Sequence, residues 1–196
     1  MDLVFDTETT SVLPERARIV QFAAILIAPD ADEPCETINM IVNPGVPIPP
    51  ETTAIHGIDN QRAEREGMPP AYAITMFASL LIHATRIIAH NIAYDRTVVR
   101  CEATRHGILL PTIKRSMLVC TQATACDAVN LPPTERMIAA GRHHPKSPKL
   151  EEAYRALVDA NGFADAHNAF ADLVACHRVL RACEARGLPL LGGSKY

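Results

Sequence analysis

Three short segments, far apart in this 196-residue chain, carry residue types that together could hold metal: Phe5-Asp6-Thr7-Glu8-Thr9, Ala89-His90-Asn91-Ile92-Ala93-Tyr94-Asp95 and His167-Asn168-Ala169-Phe170-Ala171-Asp172. The first sets two carboxylates at i and i+2 at the end of an apolar run. The second sets Asp95 just beyond another apolar run. The third offers His167 and Asp172 at the opening of an amphipathic helix. Four carboxylates and one histidine suit two hard divalent cations and a general base, the chemistry of phosphodiester cleavage.

For these residues to meet, strands and helices must bring them to one edge. Asp6 and Glu8 share one face of a strand, about 6.5–7 Å apart along the chain, and the longer Glu8 can converge with Asp6 on cations roughly 3.5–4 Å apart. Without cations such a pair is costly in a sheet, because like charges repel and lose water. Asp95 falls beyond the carboxyl end of a strand, at the start of a helix, where ligand sites of α/β sheets lie. His167 and Asp172 are five apart, about 140° on a continuous helix, so they can share a site only if His167 lies on the lead-in. Each residue alone also fits a plainer role: solvated acids at a strand end, a helix N-cap for Asp95 or Asn91, a surface or capping His167.

The elements are legible in outline. Residues 3–6, 19–27 and 38–42 read as strands rich in Val, Ile and Phe, joined by short connections into an antiparallel meander. Residues 52–58 read as a short helical or turn segment. Helices are predicted over 70–85, 94–106 (ended by Gly107), 150–161 (ended by Gly162) and 166–186. Strands are predicted over 86–90 and 116–120, with Thr121 as a cap for a brief helix. Residues 130–149, with four prolines and a basic bias, read as irregular. Strands first, then strands alternating with helices, give an α/β fold with a mixed sheet flanked by helices. One domain over residues 1–186 is expected, followed by a frayed tail over 187–196.

Composition sets bounds. Hydrophobic residues make up 48% and charged residues 21%, which is globular and not disordered. Net charge is −3, but setting aside the four candidate ligands leaves 18 acidic against 19 basic residues, from 22 and 19. That balance admits a polyanionic substrate and argues against a long, strongly salt-dependent duplex footprint. Six cysteines without a CxxC pair read as reduced thiols, with Cys176 and Cys183 on one helix face in the core. Asp2 and Asp6 interrupt the N-terminal apolar stretch, so no signal peptide is expected. No apolar run approaches a membrane span, and a cytoplasmic location is expected.

The three motifs, in this order and spacing, resemble the DEDD superfamily of 3′→5′ exonucleases in its His-bearing branch, which includes proofreading polymerase subunits, ribonuclease T and oligoribonuclease. Residues 5–9 match that family's FDTET, 89–95 its AHN-x-x-[FY]-D and 167–172 its H-x-A-x-x-D. Ile55-His56-Gly57-Ile58 resembles a family segment that lies over the bound 3′ end. The Tyr-bearing branch has a tyrosine four residues before the last aspartate; here that residue is Asn168, so the likeness is to the His branch. The resemblance covers residues 3 to about 182 and implies a ribonuclease H-like fold.

By this resemblance, Asp6, Glu8 and Asp172 hold the metal that activates water, while Asp6 bridges to a second metal supported by Asp95. The cofactors implied are two Mg²⁺, with Mn²⁺ able to substitute. His167 takes the proton from the attacking water, a role that an imidazole suits at neutral pH. Thr7, through its backbone, and Thr9 contact the terminal nucleotide; His56, Asn91 and Tyr94 are further substrate contacts, although Tyr94 stands where the family often has Phe and its ring could simply pack. The basic stretch 136–149 either touches upstream phosphates or is a solvated loop. Single-stranded DNA or RNA 3′ ends are the implied partners, with the chain acting alone, as a homodimer or as a polymerase subunit, and no membrane. The alternative from another class is a catalytically weak accessory subunit that binds nucleic acid, against which stands the intact acidic set.

Overall fold

The structure is a computed structural model that describes residues 1–193. Five strands, β1 (Asp2–Thr9), β2 (Ile19–Ile27), β3 (Glu36–Ile41), β4 (Arg86–Ala89) and β5 (Leu118–Cys120), form one sheet in the order β3-β2-β1-β4-β5. The first three strands pair antiparallel, as the short connections predict. β4 joins β1, and β5 joins β4, in parallel. This mixed sheet with flanking helices is the one the pattern of elements predicts, and the ribonuclease H-like architecture that the family resemblance implies.

Among the described residues eight α-helices follow the chain: α1 (Pro50–His56), α2 (Asn60–Glu66), α3 (Pro70–Leu81), α4 (Ile92–Arg105), α5 (Thr121–Val129), α6 (Glu135–Ala139), α7 (Leu150–Leu157) and α8 (Ala169–Ala185). Alternation along β1 assigns the two faces of the sheet. Leu3 and Phe5 pack with Phe22 and Ile87 beneath α3 and α4, and the Phe77 ring lies 4.9 Å from Phe5 and edge-on to Phe22. Val4 faces the other way, into a layer with Ile25, Ile88 and the Leu173, Cys176 and Leu180 of α8. Burying one such large side chain contributes about 1.5–3 kcal/mol, so both layers fix the sheet. β2 is buried at all nine positions, which is why it reads as a continuous apolar run broken only by Gln21.

The Val4 face of β1 continues through Asp6 and Glu8, where burial relaxes and the α8 layer opens. At the opposite end, fully buried Asp2 pairs with Arg86, which also donates to Glu184 at 2.6 Å. The charged residues of β1 thus have different fates: Asp2 is neutralised by arginine, while Asp6 and Glu8 at the open edge form no salt bridge with Lys or Arg among the described residues.

Several element bounds differ from the sequence reading. α8 begins at Ala169 and not at 166, because the Asn168 side chain accepts from the N–H groups of Phe170 and Ala171. α7 ends at Leu157, four residues before the expected limit, and the chain turns through Asp159, whose carboxylate accepts from the Asn161 N–H at 2.9 Å. Thr121 does not cap α5; its hydroxyl contacts His90 and Cys176, and Cys120 occupies the cap position without a side-chain bond. The segment read as irregular contains α6, capped by Thr134. Beyond α8 the chain docks against β5 and α5: Cys120 N–H donates to Leu191 O at 2.6 Å and Leu191 N–H to the Thr124 hydroxyl at 3.0 Å. The expected frayed tail therefore packs over its described part; residues 194–196 lie outside the described residues.

Candidate active site

Three elements bring the candidate residues together. β1 carries Asp6 and Glu8 on its α8 face. The first turn of α4 carries Asp95, which is 4% exposed, and the first turn of α8 carries Asp172. His167 precedes α8 with φ +67, off the helix that carries Asp172, and its backbone N–H donates to Asp172 Oδ2 at 3.2 Å. Asn168 at the N-cap makes this break possible, since it ends the lead-in and begins the helix at one residue.

Glu8, His167 and Asp172 each offer a ligand atom within 4.8 Å of the others. Asp6 and Asp95 stand outside this tight trio. All four carboxyl groups nevertheless feel one another. Burial, and then the charges of Asp95, Asp172 and Glu8, raise Asp6 well above the carboxylate range. Burial with Asp172 and Asp95 pushes Glu8 up to about 8. Burial raises Asp95 to about 7, against the Thr7 hydroxyl, which donates to its Oδ1 at 2.7 Å. Burial lifts Asp172 to about 6, opposed by the His167 backbone and ring. Asp172 Oδ1 is buried with no hydrogen-bond partner. Acceptor-rich, mutually repelling oxygens with one orphaned atom form a set that a hard cation satisfies.

Beside this cluster opens a cleft of about 350 Å³ lined by Thr7, Glu8, Thr9, Ser11, Val12, Thr52, Ile55, His56, Asn91 and Tyr94. Each sequence-predicted substrate contact therefore reaches one wall. Thr7 has its hydroxyl committed to Asp95, which leaves its backbone for a ligand. Thr9 Oγ1, Tyr94 Oη and Ser11 O cluster at 2.5 to 3.1 Å, with Tyr94 donating to Ser11 O and the Thr9 hydroxyl donating to either neighbour, so the Tyr94 phenol both packs and bonds. Asn91 adopts φ +63 at the start of α4 and makes no side-chain cap, which leaves its exposed amide toward the cleft. Gly57 ends α1 at φ +71, a conformation that suits glycine, and its N–H donates to Thr53 O. That stop holds Ile55 and His56 over the cleft. Burial lowers the His56 pKa, opposed by the Thr9 backbone; Nδ1 accepts from Ile58 N–H at 3.1 Å, and Nε2 is buried outside full hydrogen-bond geometry with any described residue.

The chain matches the exonuclease (RNase T) family over residues 3–180. It belongs to the exonuclease family. Among relatives, it is 33% identical over 110 residues to the 3′-5′ exonuclease DinG of Bacillus subtilis, a match that covers 56% of this chain and 11% of that protein. It is 35% identical over 100 residues to a DNA polymerase III subunit epsilon-like protein of Rhodobacter capsulatus, covering 50% of this chain and 14% of that one. These matches span about a tenth to a seventh of the relatives' lengths. The fold resembles E. coli exonuclease I, crystallised with a dT13 oligonucleotide, with TM-score 0.73, 24% identity, and coverage of 94% of this chain and 40% of that one. It also resembles exonuclease X in complex with 5′ overhanging duplex DNA, with TM-score 0.58, 19% identity, and coverage of 95% and 92%. Membership of the exonuclease family agrees with the motif resemblance. Among the described residues no helix is long and apolar enough to cross a membrane.

Some residues that shape the site escape motif reasoning. Gln21, 3% exposed on β2, accepts from the Ala169 N–H at 3.2 Å and so holds the start of α8. Its signal was a single amide in an otherwise apolar strand. His90, pushed down to about 4 by burial, binds the Thr121 hydroxyl at 2.9 Å and Pro148 O at 3.0 Å. This neutral ring ties the end of the basic stretch to the edge that carries Asn91. Ser11, Val12 and Thr52 join the cleft through packing that no local pattern announces.

Proposed function

We propose that this chain is a divalent-metal-dependent 3′→5′ exonuclease that removes nucleoside 5′-monophosphates from single-stranded ends, with DNA favoured slightly over RNA and residues 1–186 as the catalytic unit. The observation that carries this reading is the meeting of Asp6, Glu8, Asp95, Asp172 and His167 from three elements, beside a cleft that opens at Glu8. The donors fit hard cations: they are carboxylate oxygens, one of them orphaned, whose burial beside one another disfavours their charged forms until positive charge is supplied. Asp6, Glu8 and Asp172 would hold one Mg²⁺, and Asp6 with Asp95 a second, Mn²⁺ being able to substitute. Such ions, when bound, lower the pKa of a water and balance charge on the leaving 3′ oxygen.

The chain's own residues supply the remainder. The His167 ring, near Glu8 and Asp172, is suited to take a proton from the attacking water at a ring nitrogen. Thr9 and Tyr94 give the cleft a polar base, while Val12 and Ile55, 81% and 52% exposed, offer apolar surface to a base without reading its edge. His56 accepts at Nδ1 from Ile58 N–H, so its ring carries the proton at Nε2, a donor suited to the sugar or phosphate. The oligonucleotide bound by the exonuclease I neighbour suits a single-stranded substrate, and the epsilon-like relative suits work beside a polymerase; action alone or as a homodimer is equally compatible with the cleft.

Matched DNA and RNA strands of several lengths, 5′-labelled and incubated with Mg²⁺, Mn²⁺ or EDTA, test the reading. Stepwise shortening from the 3′ end that EDTA stops, faster on DNA, is the expected result. Strands that stay intact with either metal would remove the enzyme reading and leave the accessory-subunit one.

A further inference from the structure

The loop that follows β1, residues 10–18, supplies Ser11 and Val12 to the wall of the cleft. It is closed on itself: Thr10 N–H donates to Arg18 O at 3.0 Å, and Arg18 N–H to the Thr10 hydroxyl at 3.1 Å. Its far end rests on a charge that is fully withdrawn from water. Glu102, 0% exposed in α4, accepts from Arg18 Nε at 2.6 Å and from Arg105 Nη1 at 3.3 Å, and His106 Nε2 lies 3.3 Å from its second oxygen. Arg105 also donates to two loop carbonyls, Ala17 at 2.8 Å and Glu15 at 2.6 Å. At the near end, Tyr94 donates to Ser11 O.

Both ends of the loop are thus held by one helix, the one that carries Asp95. Asp95 and Glu102 are seven residues apart in α4. That is close to two full turns, so they share a face about 10.5 Å apart along the axis. A carboxylate buried this completely is expensive unless it is paired and hydrogen-bonded; here Oε1 is bonded by the loop and the helix end, while Oε2 has the His106 ring at 3.3 Å and no hydrogen bond among the described residues. The family motifs do not include it, and it lies two turns from the candidate metal ligands.

We infer that Glu102 is a positioning residue: it clamps the 10–18 loop to α4 and so holds the rim of the terminal-nucleotide cleft in register with Asp95. The inference rests on the exonuclease reading for its kinetic consequence, but not for its structural one. Displacement of the rim weakens the seating of the 3′ nucleotide and leaves the carboxylate cluster intact. The effect therefore falls on KM.

The test compares Glu102→Gln, Arg18→Met and the surface control Arg62→Gln in steady-state hydrolysis of a single-stranded oligonucleotide, with a Mg²⁺ titration of each. Glu102→Gln is expected to raise KM about tenfold, with kcat and the half-saturating Mg²⁺ concentration within about twofold. Arg18→Met raises KM in the same direction, and the double variant falls short of the product of the two because both act through one bond. Should Glu102→Gln fail to fold, Arg18→Met, on a partly exposed side chain, carries the comparison. An unchanged KM in Arg18→Met, or a fall in kcat at constant KM, overturns the inference. Hydrogen exchange separates the two readings: if the wild type proves inactive, the exonuclease reading fails, while faster exchange confined to residues 10–18 in the variants still supports the clamp. Unchanged exchange there overturns it.

Discussion

Glu8→Gln in metal-free protein probes the electrostatics of the site most sharply. Burial and the charges of Asp172 and Asp95 raise the Glu8 carboxyl from 4.5 to about 8. A carboxyl raised in the folded state contributes stability that is complete below its unfolded pKa and is lost as pH rises through its folded one. Stability from Glu8 is therefore present below about pH 4.5 and gone above about pH 8. At 1.36 kcal/mol per pH unit, the undamped span is about 5 kcal/mol. Solvent in the half-open cleft screens this, and the four acids are coupled, so about 1–3 kcal/mol is the working figure. Glutamine keeps the shape and removes the ionisation. In EDTA at pH 9, Glu8→Gln should melt higher than wild type by about 2–12 °C, from roughly 2–4 °C per kcal/mol for a chain of this size. At pH 5 the difference should shrink toward zero. Saturating Mg²⁺ should raise the wild-type Tm through linkage, and the variant's much less. Differential scanning calorimetry at both pH values, with and without the metal, reads all of this. A variant that melts lower than wild type at pH 9, or a difference independent of pH, would refute the reasoning, because burial and the neighbouring acids would then not be raising the Glu8 carboxyl.

His167→Ala should lower kcat by at least about a hundredfold while oligonucleotide affinity persists; a full-rate variant would remove His167 from the chemistry. Mg²⁺ binding at pH 7 should release protons, since Glu8 and Asp95 sit at about 8 and 7 without metal; calorimetry in buffers of differing ionisation enthalpy should give heats that depend on the buffer, and identical heats would count against protonated ligands. Gly57→Ala places a side chain at φ +71, which should cost about 1 kcal/mol and raise KM by loosening the Ile55–His56 wall; an unchanged Tm and KM would show that α1 needs no left-handed stop. Gln21→Leu keeps the size but leaves the Ala169 N–H without its acceptor, a loss of about 1–3 kcal/mol, visible as a lower denaturation midpoint.

The acidic residues stood out as a joint pattern: each alone also fits a plainer role, and it was the three motifs in their order and spacing, with the family they resemble, that drew them together. The antiparallel meander of β1 to β3 followed from short connections and the apolar run of β2, whereas the order that sets β4 and β5 beside β1 was not legible. What stayed hidden depends on contacts between distant segments. Helix α2 buries only Ala63 and shows no apolar stripe, though Asp59, which accepts from the Arg62 N–H at 2.7 Å, was its one local signal. Thr121 has a side chain suited to capping, yet His90, 31 residues earlier, claims its hydroxyl. Glu102 looks like an ordinary solvated helix residue until Arg18, 84 positions away, is folded against it. Helix periodicity alone forced His167 off the face of Asp172; the left-handed backbone at His167, with Asn168 as cap, is how the chain achieves it.

The central claim is that these carboxylates and His167 serve stepwise hydrolysis from a 3′ end. Product analysis of a 5′-labelled single-stranded oligonucleotide tests it most directly, with wild type and Asp172→Asn run side by side in Mg²⁺. The account predicts a ladder of single-nucleotide steps and release of nucleoside 5′-monophosphates by wild type, and neither by Asp172→Asn. Internal cuts, nucleoside 3′-monophosphates, or an undiminished ladder from Asp172→Asn would contradict it.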